Sequence, residues 1–150
     1  MREQNEQRPI DLLLVEDNPG DVRLTEEALK EGRVRVNLNV VRDGADAVDF
    51  LYRRGKFRDA PRPDLILLDL NLPKKSGREV LTEVKADPDL RRIPIVVMTT
   101  STADQDIVRA YSLNANCYVA KPVELDQFFE AVRSIQEFWL HKALLPGQRN

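Results

Sequence analysis

Asp64-Leu65-Ile66-Leu67-Leu68-Asp69 is a run of four aliphatic residues closed at each end by a carboxylate. So short an apolar run, with no polar alternation, reads as a strand buried on both faces, the pattern of a parallel sheet covered by helices. Three other stretches share this form. Ile10-Asp11-Leu12-Leu13-Leu14-Val15 leads into Glu16-Asp17, Ile93-Pro94-Ile95-Val96-Val97-Met98 into Thr99, and Cys117-Tyr118-Val119-Ala120 into Lys121-Pro122. In open parallel α/β sheets the ligand site lies beyond the carboxyl ends of the strands. Three acids, a hydroxyl and an ammonium are therefore expected at one edge.

Helical patterns fill the intervals. Val22, Leu24, Ala28 and Leu29 mark a helix from Pro19 to about Glu31, stopped by Gly32. Val34 to Val41 alternates as a strand, and Gly44 to Arg54 carries Ala47, Val48, Leu51 and Tyr52 at helical spacing. Gly55 to Pro63 is polar, holds two prolines and is expected to be a long loop. A strand from Leu65 to Asp69 follows. Ser76 and Glu79 form a capping-box pair for a helix lined by Val80, Leu81 and Val84 and ended by Pro88. After the strand Ile93 to Met98, a fourth helix is expected over Ala103 to Leu113. The last runs from Leu125 to Leu140 with Leu125, Phe128, Val132, Ile135 and Trp139 facing inward. Five strands alternating with five helices, joined by right-handed crossovers, make a doubly wound five-stranded parallel sheet with helices on both faces.

The chain has 150 residues, 42% of them hydrophobic, enough for one core. One domain is expected over residues 10–140, between a flexible lead-in of residues 1–9 and a C-terminal tail, 141–150. The net charge of -2 gives no electrostatic reason to expect nucleic acid. The local basic cluster Tyr52-Arg53-Arg54-Gly55-Lys56-Phe57-Arg58 has acids on both sides and reads as a solvated loop. The single cysteine, Cys117, rules out an internal disulfide. With no apolar run near ~20 residues, a soluble cytoplasmic protein without membrane attachment is expected. Cys117 reads as a small apolar filler and His141 as a surface residue.

Mg²⁺ prefers octahedral oxygen coordination and is usually held by one or two carboxylates together with phosphate and water. Glu16, Asp17 and Asp69 meet that demand, with Mn²⁺ or Ca²⁺ as substitutes. A carboxylate also serves as a nucleophile toward phosphorus when positive charge neutralises the phosphoryl oxygens. Lys121 supplies such a charge, and Thr99 a hydrogen-bond donor.

Four segments then resemble, in order, the motifs of receiver domains of two-component response regulators. They are Val15-Glu16-Asp17-Asn18, Leu68-Asp69-Leu70-Asn71-Leu72-Pro73-Lys74-Lys75-Ser76-Gly77, Met98-Thr99-Thr100-Ser101 and Tyr118-Val119-Ala120-Lys121-Pro122. The spacings, 30 residues from Asp69 to Thr99 and 22 from Thr99 to Lys121, resemble the family's too. The resemblance covers residues 10–133 and implies the flavodoxin-like receiver fold, (βα)5 with strand order 2-1-3-4-5. It implies that Asp69 accepts a phosphoryl group from a sensor histidine kinase. Asp17, Asp69 and the main-chain carbonyl of Asn71 would ligate Mg²⁺, with Glu16 acting directly or through water. Lys121 would pair with the phosphoryl oxygens, Thr99 and Tyr118 would form the switch, and Lys121-Pro122 would be a cis peptide. Three departures stand out: Glu16 where two aspartates are usual, Thr100 where a smaller residue is usual, and the long Gly55 loop.

No effector domain follows the receiver pattern, so the expected output is protein contact. Phe129, Phe138, Leu140, Leu144 and Leu145 add apolar surface beyond what one flank of a sheet needs. The Glu137-Phe138-Trp139-Leu140 ending, the Leu145-Pro146 tail and the Gly55 loop resemble the small response regulators of bacterial and cyanobacterial phytochrome kinases. This implies a phytochrome-type kinase partner and a homodimer through Phe129, Phe138, Trp139, Leu140 and the tail. Three rivals remain. A haloacid-dehalogenase-type phosphatase needs a second aspartate where this chain has Asn71. A phosphorylation-independent binding module would not need Glu16, Asp17, Asp69, Thr99 and Lys121 together. An FMN carrier would need a phosphate cradle where Glu16-Asp17-Asn18-Pro19-Gly20 is acidic.

Overall fold

Residues 10–15 extend because aliphatic side chains occupy both faces of the segment, and only a sheet flanked on both sides can bury them together. In the computed structural model, which describes residues 9–32, 35–99, 117–120 and 124–138, they form β1 (Ile10–Val15). It is followed by α1 (Pro19–Lys30), β2 (Val36–Val41), α2 (Gly44–Tyr52), β3 (Leu65–Leu68), α3 (Gly77–Ala86), β4 (Ile95–Thr99), β5 (Cys117–Ala120) and α4 (Leu125–Ile135). The strands form one parallel sheet in the order β2-β1-β3-β4-β5. The expected architecture and strand order are those observed. The helix expected over Ala103 to Leu113 lies outside the described residues.

Alternation along each strand divides the core into two layers. Leu13, Val15, Ile66, Leu68, Ile95 and Val97 face α2 and α3, where Ala47, Val48, Leu51, Val80, Leu81 and Val84 close over them. Ile10, Leu12, Leu14, Leu65, Leu67, Val96 and Met98 face α1 and α4, under Val22, Ala28, Leu29, Phe128, Val132 and Ile135. The expected inner stripes of α1, α2 and α3 are thus largely buried, except that Tyr52 is exposed.

Caps set the helix limits. Asn18 caps α1 by accepting from the Asp21 amide, with Pro19 at the first helical position. Asp43 caps α2 through the Asp46 amide, and Ser76 with Glu79 completes the expected capping box of α3. Helix α2 ends two residues before the expected Arg54, because Arg53 turns into the left-handed region at φ 57°. The Gly55 to Pro63 segment is more ordered than the loop expected there. Gly55–Phe57 forms one 3-10 turn, and the Phe57 ring stands 5.4 Å from that of Phe50.

Helix α4 gives the other correction. Its α-helical part stops at Ile135, and residues 136–138 continue as a wider π turn. Leu125, expected inside, is 65% exposed, whereas Gln136 is buried and donates to the Leu29 carbonyl at 3.2 Å. That carbonyl belongs to the last turn of α1, where acceptors look beyond the helix for donors, and it also accepts the Gly32 amide at 3.2 Å. The amide's polar demand is met at the end of another helix, and the π turn is the local deformation at which it happens.

Candidate functional site

Strands β1 and β3 finish level with each other. Val15 is in register with Leu68, and the Asp69 amide donates to the Val15 carbonyl at 3.1 Å. Glu16 and Asp69 therefore leave the sheet side by side, and Asp17 follows at once. One carboxylate oxygen from each lies within 4.8 Å of the others. The three acids expected at one edge are brought together there.

Glu16 and Asp69 are buried, at 4% and 7% exposure, while Asp17 is open to solvent. The same local device aims both buried acids. Glu16 accepts the amide of Asn18 at 3.2 Å, and Asp69 accepts that of Asn71 at 2.9 Å, each from two residues further on. At Asp69 this is an Asx-type turn, and at Glu16 its longer-chain counterpart, each fixing the side chain against its own backbone. The start of α3 presses on the same place. A Cβ on Gly77 would fall 2.3 Å from the Asp69 carbonyl oxygen, and the Gly77 amide donates to Leu70 at 3.1 Å. Only glycine allows this approach.

Oxygens bound to one Mg²⁺ at about 2.1 Å stand roughly 3 Å apart when adjacent and about 4.2 Å apart when opposite. The three carboxylates, with one oxygen of each within 4.8 Å of the others, lie close to that span. Their like charges, gathered in partial burial, also favour a cation among them. A hard divalent ion held by oxygen is the chemistry this donor set suits.

The other expected site residues are placed by backbone only or lie outside the described residues. Thr99 ends β4, in register with Ala120, and Tyr118 on β5 is in register with Val97. Lys121 follows Ala120 in sequence; it, Thr100, the Lys121-Pro122 peptide, Trp139, Leu140 and the tail lie outside the described residues. Three contributors were given no role by the sequence. Gly77 carries no chemistry of its own, although its place directly after the Ser76 cap was a usable signal. Asp43 and Gly44, at the start of α2, pack on the loop after Asp69, and no local pattern announces a contact between separate elements.

The model of the response regulator receiver domain matches residues 12–133. Response regulator Rcp1 of Synechocystis sp. is 49% identical over 136 residues, covering 91% of this chain and 92% of its own length. The Mn²⁺-bound form of Rcp1 superposes with a TM-score of 0.89 at 49% identity, covering 92% of this chain and 99% of that one. The phosphorylated cyanobacterial phytochrome response regulator RcpA superposes equally well, TM-score 0.89 at 51% identity, covering 93% and 99%. No described helix is long and apolar enough to cross a membrane. With its strand order, its carboxylate edge and these relatives, the chain belongs to the response regulator receiver domain family.

Proposed function

We propose that the chain is a phosphoacceptor of a two-component relay that takes a phosphoryl group on Asp69 and signals by protein contact. The observation that carries this is the meeting of Glu16, Asp17 and Asp69 at the level ends of β1 and β3. An Asp69 oxygen attacks phosphorus, the P–N bond of a phosphohistidine breaks, and the imidazole nitrogen leaves with the electron pair. Glu16, Asp17, Asp69 and the Asn71 main-chain carbonyl hold Mg²⁺, for which Mn²⁺ or Ca²⁺ can substitute. When bound, the ion neutralises phosphoryl oxygens as negative charge gathers on them. Lys121 pairs with the same oxygens. Thr99, at the end of β4, donates to the new phosphoryl group, and Tyr118 follows it inward; the donation exists in one of two states and so biases the equilibrium between them.

The donor is a sensor histidine kinase of the phytochrome type, a reading supported by the likeness to RcpA. The chain acts as a cytoplasmic signalling protein, with no turnover enzyme activity beyond its own phosphorylation and slow dephosphorylation. It pairs as a homodimer through α4 and the tail, using Phe129, Phe138, Trp139 and Leu140. Phe138 is 55% exposed, which supports an apolar contact there.

Intact-protein mass after incubation with Mg²⁺ and a small phosphodonor is the deciding measurement. A gain of one phosphoryl group that needs Mg²⁺ and is absent in Asp69→Asn is expected. Folded, metal-binding protein that gains nothing from the donor or from a phosphorylated kinase would instead leave the alternative, a receiver-like module that binds partners without phosphorylation.

A further inference from the structure

The segment between Asp69 and α3 is held from outside as well as at its ends. Its ends are fixed by Asn71 donating to Asp69 and by Gly77 seated on the Asp69 carbonyl. Its middle rests on the start of α2. Gly44 lies so close that a Cβ there would be 1.9 Å from the Lys75 carbonyl oxygen and 2.6 Å from its carbon. Beside it, the buried Asp43 uses Oδ1 to accept the Asp46 amide at 2.7 Å, while Oδ2 is 3.6 Å from the Lys74 ammonium. Lys74 itself is left-handed, at φ 65°, where a residue with a side chain rarely stays without support.

We infer that the start of α2, through Gly44 and Asp43, positions the loop 71–75 and thereby sets the distance of the Asn71 carbonyl from the three carboxylates. This rests on Asn71 as a metal ligand in the function proposed above. Neither residue touches the ion, so both are positioning residues. An alanine at 44 forces the Lys75 carbonyl back by about 1.5 Å to reach the ordinary 3.4 Å contact, since a packed interior offers no slack. The loop is anchored at both ends, so the displacement spreads along its main chain toward Asn71. Mg²⁺ demands near-ideal octahedral geometry at 2.0–2.1 Å, whereas Ca²⁺ accepts looser shells at 2.3–2.6 Å. Misplacement of one ligand therefore penalises Mg²⁺ more than Ca²⁺, a signature that general destabilisation does not produce.

Calorimetric titration of the full chain with MgCl₂ and with CaCl₂ tests this. Gly44→Ala is expected to weaken Mg²⁺ binding about ten-fold or more, the usual scale when the support of a ligand shell is removed, with a smaller loss for Ca²⁺. Asp43→Asn keeps the capping oxygen and drops the charge that faces Lys74, and it should weaken Mg²⁺ by about two- to five-fold. Should Gly44→Ala fail to fold, Asp43→Asn decides. Val84→Ala, which thins the core under α3 without reaching the loop, should lower the melting temperature and leave both affinities unchanged. Folded variants with native Mg²⁺ affinity, or with equal losses for both ions, overturn the inference. A native chain that binds neither ion overturns the metal site itself.

Discussion

Gly77 shows how a residue without functional groups shapes the site. Its missing side chain lets α3 begin against the Asp69 carbonyl. Gly77→Ala should destabilise the protein by about 1–3 kcal/mol, the range for overpacking a filled site, read as a lower urea midpoint with unchanged slope. An unchanged midpoint would mean that the helix start can shift freely. The acids were legible in the sequence because each closes an apolar run, and strand ends of parallel sheets converge. Gly77 and Gly44 were less so, because what they permit is a close approach by another segment. Gln136 was hidden differently. A polar residue beside an apolar stripe reads as solvent-facing, yet it is 3% exposed because the end of α1 offers an acceptor. Gln136→Ala should cost about 0.5–1.5 kcal/mol in a thermal or urea melt, since one buried hydrogen bond is lost while the Leu29 carbonyl keeps the Gly32 amide.

Helices α2 and α3 are joined at their far ends by a polar contact. Asp87, which ends α3, accepts the amides of Leu90 and Asp89 at 3.0 and 2.8 Å and the Tyr52 hydroxyl at 2.7 Å. These donors, the Leu90 amide foremost, hold its carboxyl below the usual 3.8, while the same bond to Asp87 raises the Tyr52 phenol. A depressed carboxyl stabilises the fold fully above its unfolded value and ceases to do so as pH falls through its lower folded value. Tyr52→Phe should therefore be less stable than the native chain at neutral pH, with the gap closing in acid below 3.8. Chemical denaturation across that range checks it; a gap that persists unchanged would assign the loss to packing of the ring. At this scale the core-facing positions of α1, α2 and α3 and the five strands were legible from periodicity and caps. The end of α2 was not, because Arg53 takes the left-handed turn usually given to glycine.

Taken whole, the protein is a sheet whose two layers are closed by helices from different parts of the chain. Removing the residues after Phe138 spares Ile135 and Gln136 and should give a folded monomer, if the tail carries the proposed dimer. Removing those after Ser134 also strips Ile135 from the α1 and α4 layer, which should cost about 2 kcal/mol or more and yield a poorly soluble product. Sedimentation and melting of both truncations separate the two effects, and a soluble dimer after Ser134 would contradict the proposed contact. The layering also sets an order of events during synthesis. The layer over α2 and α3 can close once residues up to Val97 have left the ribosome, but Leu12, Leu14, Leu67 and Val96 await Phe128, Val132 and Ile135. A growing chain must carry this aliphatic face with only α1 packed on it until α4 emerges, the interval in which it most needs a chaperone.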